Sequence, residues 1–410
     1  MKKIFVFMLI LLNLINFAAC SKKISKTDYV LSKDWDAIIK SSKGTTVAFY
    51  GWGGDDRINK WIDNYVAKEL KQKYDINLKR VPMNIEDILS KMLNEKQFNV
   101  DKGTIDIVWI NGENFYSAKQ NGLLFGPFTN KLPNFQRYID KESKEVNFDF
   151  GFPVEGYEAP YGKAQFVMIY DKSKTKNAPK NYKELLEFVK DNPGKFTYPA
   201  PPDFTGSAFV RNIIYEVVGY ENIVNVKPEK DEVAKKIKPA MDLLVEMKPY
   251  LWRSGKAYPA TLAQLDNMFS DGEILMSMNY NPFSVSGKIK DGVFPKTTSS
   301  FVFENGTIGN THFLAIPFNA QNKEGALAVI DFILSVKAQA SKYDPQNWGD
   351  LPVIDKEKMT TDERKLFESV NIGEGTISQE ELLKHRLPEL PANLVPIIEE
   401  IWEETVLKGE

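Results

Sequence analysis

Apolar positions along this chain switch repeatedly between a compact strand-like run and a helical spacing. Residues 45–50 (Thr-Thr-Val-Ala-Phe-Tyr) are a short run of β-formers and predict a first buried strand. The loop Gly51-Trp52-Gly53-Gly54 follows, and then Ile58, Trp61, Ile62, Tyr65, Val66 and Leu70 recur at helical spacing. The order returns with a strand over 76–81 and a helix over 85–93. It returns again with a strand over 104–110, the loop Asn111-Gly112-Glu113-Asn114-Phe115, and a helix to Gln120. Strands alternating with helices predict an open α/β sheet. Ligands of such sheets bind beyond the carboxyl ends of the strands, where both loops would lie.

Residues 156–171 break the rhythm. Gly156, Pro160 and Gly162 make a bent, polar lead-in that cannot be helix interior. Residues 164–170 are then mostly apolar and suit a strand buried on both faces. One set of strand and helix patterns precedes this stretch and a second follows it. That suits a hinge strand between two lobes, with Glu158, Tyr161 and Lys163 facing the cleft where ligands collect. An ordinary core strand after a loop fits the same residues.

The second set comprises a helix over 181–190, a short strand over 196–198 and a proline-rich approach to Thr205-Gly206-Ser207. A helix then runs through Phe209, Ile213, Ile214, Val217 and Val218. That helix start suits an anion held on free N–H groups, and equally simple capping by Thr205 or Ser207. Helices over 233–247 and 263–269 lead to a strand over 274–278 that ends at Asn279-Tyr280-Asn281-Pro282. Residues 307–318 are extended and predict a second crossing between lobes; 325–336 is a helix, and Trp348-Gly349-Asp350 lies in a turn.

Composition narrows the class. At 410 residues, 43% hydrophobic and 26% charged, the chain can build a normal core, and its net charge of −2 offers no field for nucleic acid. Lys2 and Lys3, an apolar run to Phe17, and Ala18-Ala19-Cys20 follow the order of a secretory signal. The apolar run is too short for a comfortable membrane span. Cys20 is the only cysteine, which rules out an internal disulfide and resembles a bacterial lipobox. Residues 1–20 are therefore expected to be a lipoprotein signal peptide and 21–40 a tether. The chain has two histidines, His312 and His385, with no pair at metal-ligand spacing. It lacks both a Gly-x-Ser-x-Gly elbow and a His-Glu-x-x-His helix.

The order of elements resembles extracytoplasmic solute-binding proteins of ABC importers in the two-lobed type II arrangement. Within these it is similar to the YnjB-like family of transporter binding components. The matching blocks are Gly51-Trp52-Gly53-Gly54, Asp106-Ile107-Val108-Trp109-Ile110-Asn111-Gly112-Glu113-Asn114-Phe115, Ala164-Gln165, and Pro202-Asp203-Phe204-Thr205-Gly206-Ser207. Further matches are Gly309-Asn310-Thr311-His312-Phe313, Trp348-Gly349-Asp350 and Trp402. Tyr161 stands where the family usually has Trp, and Asn84 where Asp is common. The resemblance implies a periplasmic-binding-protein-like fold with two α/β lobes joined by hinge strands. It places lobe 1 at 41–163 plus 300–340 and lobe 2 at 164–299 plus 341–410.

It also implies a monomeric lipoprotein outside the bacterial membrane that delivers a small solute to permease subunits, with no cofactor, no metal and no enzymatic activity. The expected ligand shell is Trp52, Gly53, Gly54, Asn111, Gly112, Glu113, Asn114, Tyr161, Thr205, Gly206, Ser207, Asn279, Tyr280 and Trp348. Aromatic faces with the acids Asp55, Glu113, Glu158 and Asp203 suit a cationic or zwitterionic organic ligand, thiamine-like or polyamine-like. Three alternatives stand beside this: a small oxyanion or carboxylate at Gly206-Ser207, a secreted hydrolase using a carboxylate pair, and a surface adhesin on the same scaffold.

Overall fold

The computed structural model describes residues 26–409. Cys20 and the signal segment lie outside the described residues. Strands β1 (Thr46–Gly51), β2 (Asn77–Pro82) and β3 (Ile107–Ile110) pair in parallel with β1 in the middle. Next come β4 (Leu124–Phe125), the ribbon β5 (Phe148–Asp149) and β6 (Phe152–Pro153), and then β7 (Glu158–Gln165). A second sheet is antiparallel, with β8 (Val167–Asp171) between β9 (Met276–Asn279) and β10 (Thr298–Phe301). The long strand β11 (Thr307–Pro317) returns to the first sheet beside β3, β4 and β7. The short β12 (Arg386–Leu387) runs parallel to its start. This is the expected two-lobed type II arrangement.

The pivot is more ordered than its sequence suggested. The polar lead-in expected to be a bent loop is itself strand β7, antiparallel to β11. His312 faces Gly162 and Phe313 faces Pro160, so Tyr161 is the extra residue of a bulge. Strand prolines are confined to edges and bulges, and Pro160 sits directly beside this one. Phe166 alone separates β7 from β8, and its N–H donates to Ile308 of β11 at 2.8 Å. Both crossings are pinned from a third segment. Arg386 donates to the Glu145 carboxylate at 2.6 Å, to the Ala164 carbonyl at 2.8 Å and to the Asn310 carbonyl at 2.9 Å. Gln165 Nε2 donates to the carbonyls of Leu382 and His385 at 2.9 and 3.0 Å.

In the second lobe, helix Phe204–Val218 is buried from Thr205 to Glu216. Such a helix must be wrapped on all sides. Trp402, fully buried near the chain's end, donates from Nε1 to the Tyr198 hydroxyl at 3.1 Å and closes that core.

Several expected boundaries shift. Residues 196–198 are not a strand; the Phe196 carbonyl accepts from Trp252 N–H at 2.8 Å, outside any ladder. Helix Trp35–Ser42 begins inside the segment expected to be a tether; its Ile38 is buried and it packs on helix Lys323–Ile333. β10 belongs to the second sheet, and the chain re-enters the first sheet with β11. The segment from 341 touches both lobes: Tyr138 donates to Glu363 at 2.6 Å, and Tyr343 meets Phe283 edge-on at 5.4 Å.

Candidate functional site

The carboxyl ends of β1 and β3 and the bulge of β7 converge where the lobes meet. Trp109, at the end of β3, anchors an aromatic group. Its ring lies 5.6 Å from Tyr161, 5.8 Å from Trp348 and 5.3 Å from His312. Beneath the rings, Lys342 and Asp350 form an ion pair at 2.6 Å, with their side chains 0% and 1% exposed. His312 Nε2 lies 3.4 Å from the second Asp350 oxygen. Burial is the largest influence on Asp350 and pushes its pKa up, but Lys342 and His312 outweigh it, so the carboxyl is held below its usual range. Burial lowers the Lys342 ammonium despite its partner.

A polar group faces the aromatic one. Arg211, one turn after Ser207 on the buried helix, forks onto Glu389 with two bonds of 3.2 Å and donates to Ser207 Oγ at 2.5 Å. Ser207 donates to Glu399 at 2.5 Å and Tyr280 to Glu389 at 2.6 Å. From the other lobe comes Glu113, in the first turn of helix Gly112–Gln120. Burial raises its pKa, Arg211 opposes, and Glu399 and Glu389 add to the rise. Asp149 accepts from Gly112 N–H at 2.5 Å, and burial pushes its pKa well up. Asn111 joins the two groups. It accepts from Trp109 Nε1 at 2.9 Å and donates to the Thr311 carbonyl at 2.7 Å.

The structure therefore brings Tyr161 and Trp348 together in the aromatic group, and Ser207, Tyr280 and Glu113 around the polar one. Asn114 stays beside Glu113 at 3.2 Å. Trp52 is half exposed. The glycines beside it have packing roles: a Cβ on Gly53 would sit 2.5 Å from Pro82, and one on Gly54 2.3 Å from the Trp52 ring. Asn279 makes a local turn, accepting from Asn281 N–H at 2.8 Å.

The helix start at 204 differs from expectation. Its cap is Asp203, not Thr205 or Ser207. Asp203 takes the N–H groups of Thr205 and Gly206 on its carboxylate at 3.0 Å, and that of Ser207 on its carbonyl at 2.8 Å. Gly206 is glycine because a Cβ would meet the Pro199 carbonyl oxygen at 2.0 Å. An anion would find those donors occupied.

Sequence reasoning left Trp109, His312, Asp350, Lys342, Arg211, Glu389, Glu399 and Asp149 out of the ligand shell. Arg211 had a signal, as a charge in the middle of an otherwise apolar helical stripe. Glu389 had none, because it lies in a proline-bounded stretch without period.

The match to known proteins decides the family. Residues 65–363 match the model of the bacterial extracellular solute-binding proteins. Protein YnjB of Escherichia coli (strain K12) is 38% identical over 340 residues, which is 82% of this chain and 87% of that protein. The chain belongs to the bacterial extracellular solute-binding proteins. Solved structures of such proteins share the fold at low identity. The TpPotD lipoprotein of Treponema pallidum aligns with a TM-score of 0.64 at 16% identity, covering 88% of this chain and 98% of that one. A periplasmic thiamin binding protein aligns at 0.58 and 16% identity, covering 88% and 96%. Both groups of residues stand where the two lobes meet. Among the described residues no helix is long and apolar enough to cross a membrane.

Proposed function

We propose that this protein binds a cationic or zwitterionic organic solute between its lobes and delivers it to the permease of an ABC importer. Lipid on Cys20 would hold it at the membrane as a monomer. The observation that carries the ligand class is the charge around the polar group. Glu113, Glu389, Glu399 and Asp149 gather there, and the guanidinium among them, Arg211, is already committed to Glu389 and Ser207. A bound cation lowers the repulsion among these carboxyls and can stack on the nearby rings. The raised pKa of Glu113 fits a group that ionises fully when a cation arrives. The capped helix start at 204 argues against an oxyanion there. Relatives by fold include a spermidine/putrescine ABC transporter protein from Listeria monocytogenes and a periplasmic thiamin binding protein, whose named solutes are cations of this kind.

Native mass spectrometry of gently purified protein should show a carried cation. A thermal-shift series should then rank diamines and thiamine-like cations above dicarboxylates, sulfate and phosphate. Stabilisation by an oxyanion with none by any cation would overturn the ligand class. The anchor is tested separately: an alkynyl fatty acid should label the wild type in cells and not Cys20→Ser.

A further inference from the structure

Arg57 sits on the first-lobe helix Asp56–Lys60 and reaches helix Ser284–Lys290 of the second lobe. One guanidinium nitrogen pairs with Asp291, the C-cap of that second helix, and the other donates to the Pro345 carbonyl at 3.4 Å. The guanidinium lies directly over Gly287. A Cβ built there would fall 1.3 Å from Nη1 and 2.1 Å from Cζ. Within a helix glycine is less stable than alanine, so a missing side chain at this buried position makes a socket. Cavities of about 250 Å³ and 470 Å³ adjoin the contact, and Arg57, Asp291 and Gln346 stand in the walls of both. None of the residues expected from sequence to form the ligand shell lines either cavity.

We propose that Arg57 in the Gly287 socket is a latch that favours lobe closure without solute. The contact joins groups from opposite lobes, so only the closed arrangement can make it, and any contact of that kind shifts the equilibrium toward closure. The pair is partly open to water, with side chains 19% and 56% exposed. A partly exposed ion pair contributes little, so the latch changes the closed-to-open ratio by about fivefold. The cavities beside it share no lining residue with the aromatic or the polar group. The latch therefore sets how much of the protein is ready to bind, and the apparent affinity follows that fraction.

The test needs no solute. Spin labels go on Lys79→Cys and Lys235→Cys, both exposed and on opposite lobes, in the full chain carrying Cys20→Ser. Double electron–electron resonance then reads the inter-lobe distance distribution. Arg57→Ala and Gly287→Ala should each move population from the shorter to the longer distance by about fivefold in ratio, and the double variant should go no further. Thermal melting separates this from damage. Gly287→Ala improves the helix, so it should open the lobes while leaving the melting temperature equal or higher. Unchanged distributions in both variants overturn the latch. A shift with Arg57→Ala but none with Gly287→Ala overturns the socket.

Discussion

Replacing Asp350 by Asn removes a charge from the hinge with almost no change of shape. Lys342 would keep its place, 0% exposed, with no anion beside it. Two routes give the size of the effect. Breaking one side of a buried ion pair typically destabilises by about 3–5 kcal/mol. Alternatively the lysine enters the fold neutral, and giving up its proton from an ordinary pKa near 10.4 at pH 7 costs about 4.6 kcal/mol. The routes agree, so Asp350→Asn should lose about 3–5 kcal/mol at pH 7.

The second route also predicts a pH dependence. The unfolded chain then holds one more proton than the folded one, so stability rises with pH. The variant's deficit should shrink by about 1.4 kcal/mol per pH unit as the pH approaches the unfolded lysine pKa. Urea unfolding followed by tryptophan fluorescence at pH 7 and pH 9 measures both values, since the Trp348 ring lies 5.2 Å from the Lys342 ammonium and 5.8 Å from the Trp109 ring. Adding Lys342→Met should recover most of the loss, because the stranded charge is gone. A single variant within about 0.5 kcal/mol of wild type, or a deficit that Lys342→Met does not reduce, refutes the reasoning.

Trp52→Ala should abolish the thermal shift produced by whichever solute native mass spectrometry identifies, while leaving the melting temperature of the free protein nearly unchanged, because this ring is 51% exposed. A full ligand shift in the variant would assign Trp52 to packing alone. Burial pushes the Glu145 carboxyl up, but Arg386 and Lys163 outweigh it and hold the pKa at about 2. Its contribution is therefore complete above the unfolded value and disappears as pH falls through about 2. Glu145→Gln should lose roughly 1–2 kcal/mol at pH 7, discounted for a side chain about one-third exposed, and match wild type in acid unfolding near pH 2. Glu158 is the opposite case. It is fully buried with neither oxygen partnered, and burial raises its pKa well above the usual range. The folded state keeps the proton, so wild type loses stability as pH rises from about 4.3, by up to about 1.4 kcal/mol per unit. Glu158→Gln should gain on wild type between pH 4 and pH 7 in urea titrations, and parallel curves would contradict the protonated form.

Local periodicity determined the alternating strands and helices, the two crossings and the residues at strand ends, because each depends on neighbours within a few positions. Asn111 and Glu113 were legible as a strand's polar terminus, and β11 as an unbroken extended run. The pairing of charges was not legible. Arg211 meets Glu389 across 178 positions and Arg57 meets Asp291 across 234. No spacing rule connects residues so far apart, since only closure of the chain around the hinge brings them into contact. Thr205 and Gly206 are the converse case: Asp203, two and three positions before them, takes their N–H groups in a local cap that residue type and spacing already offered. Residue type settled which chemistry was available; the tertiary structure decided which groups remain free, because a donor or a charge is spent on whichever partner the fold brings nearest.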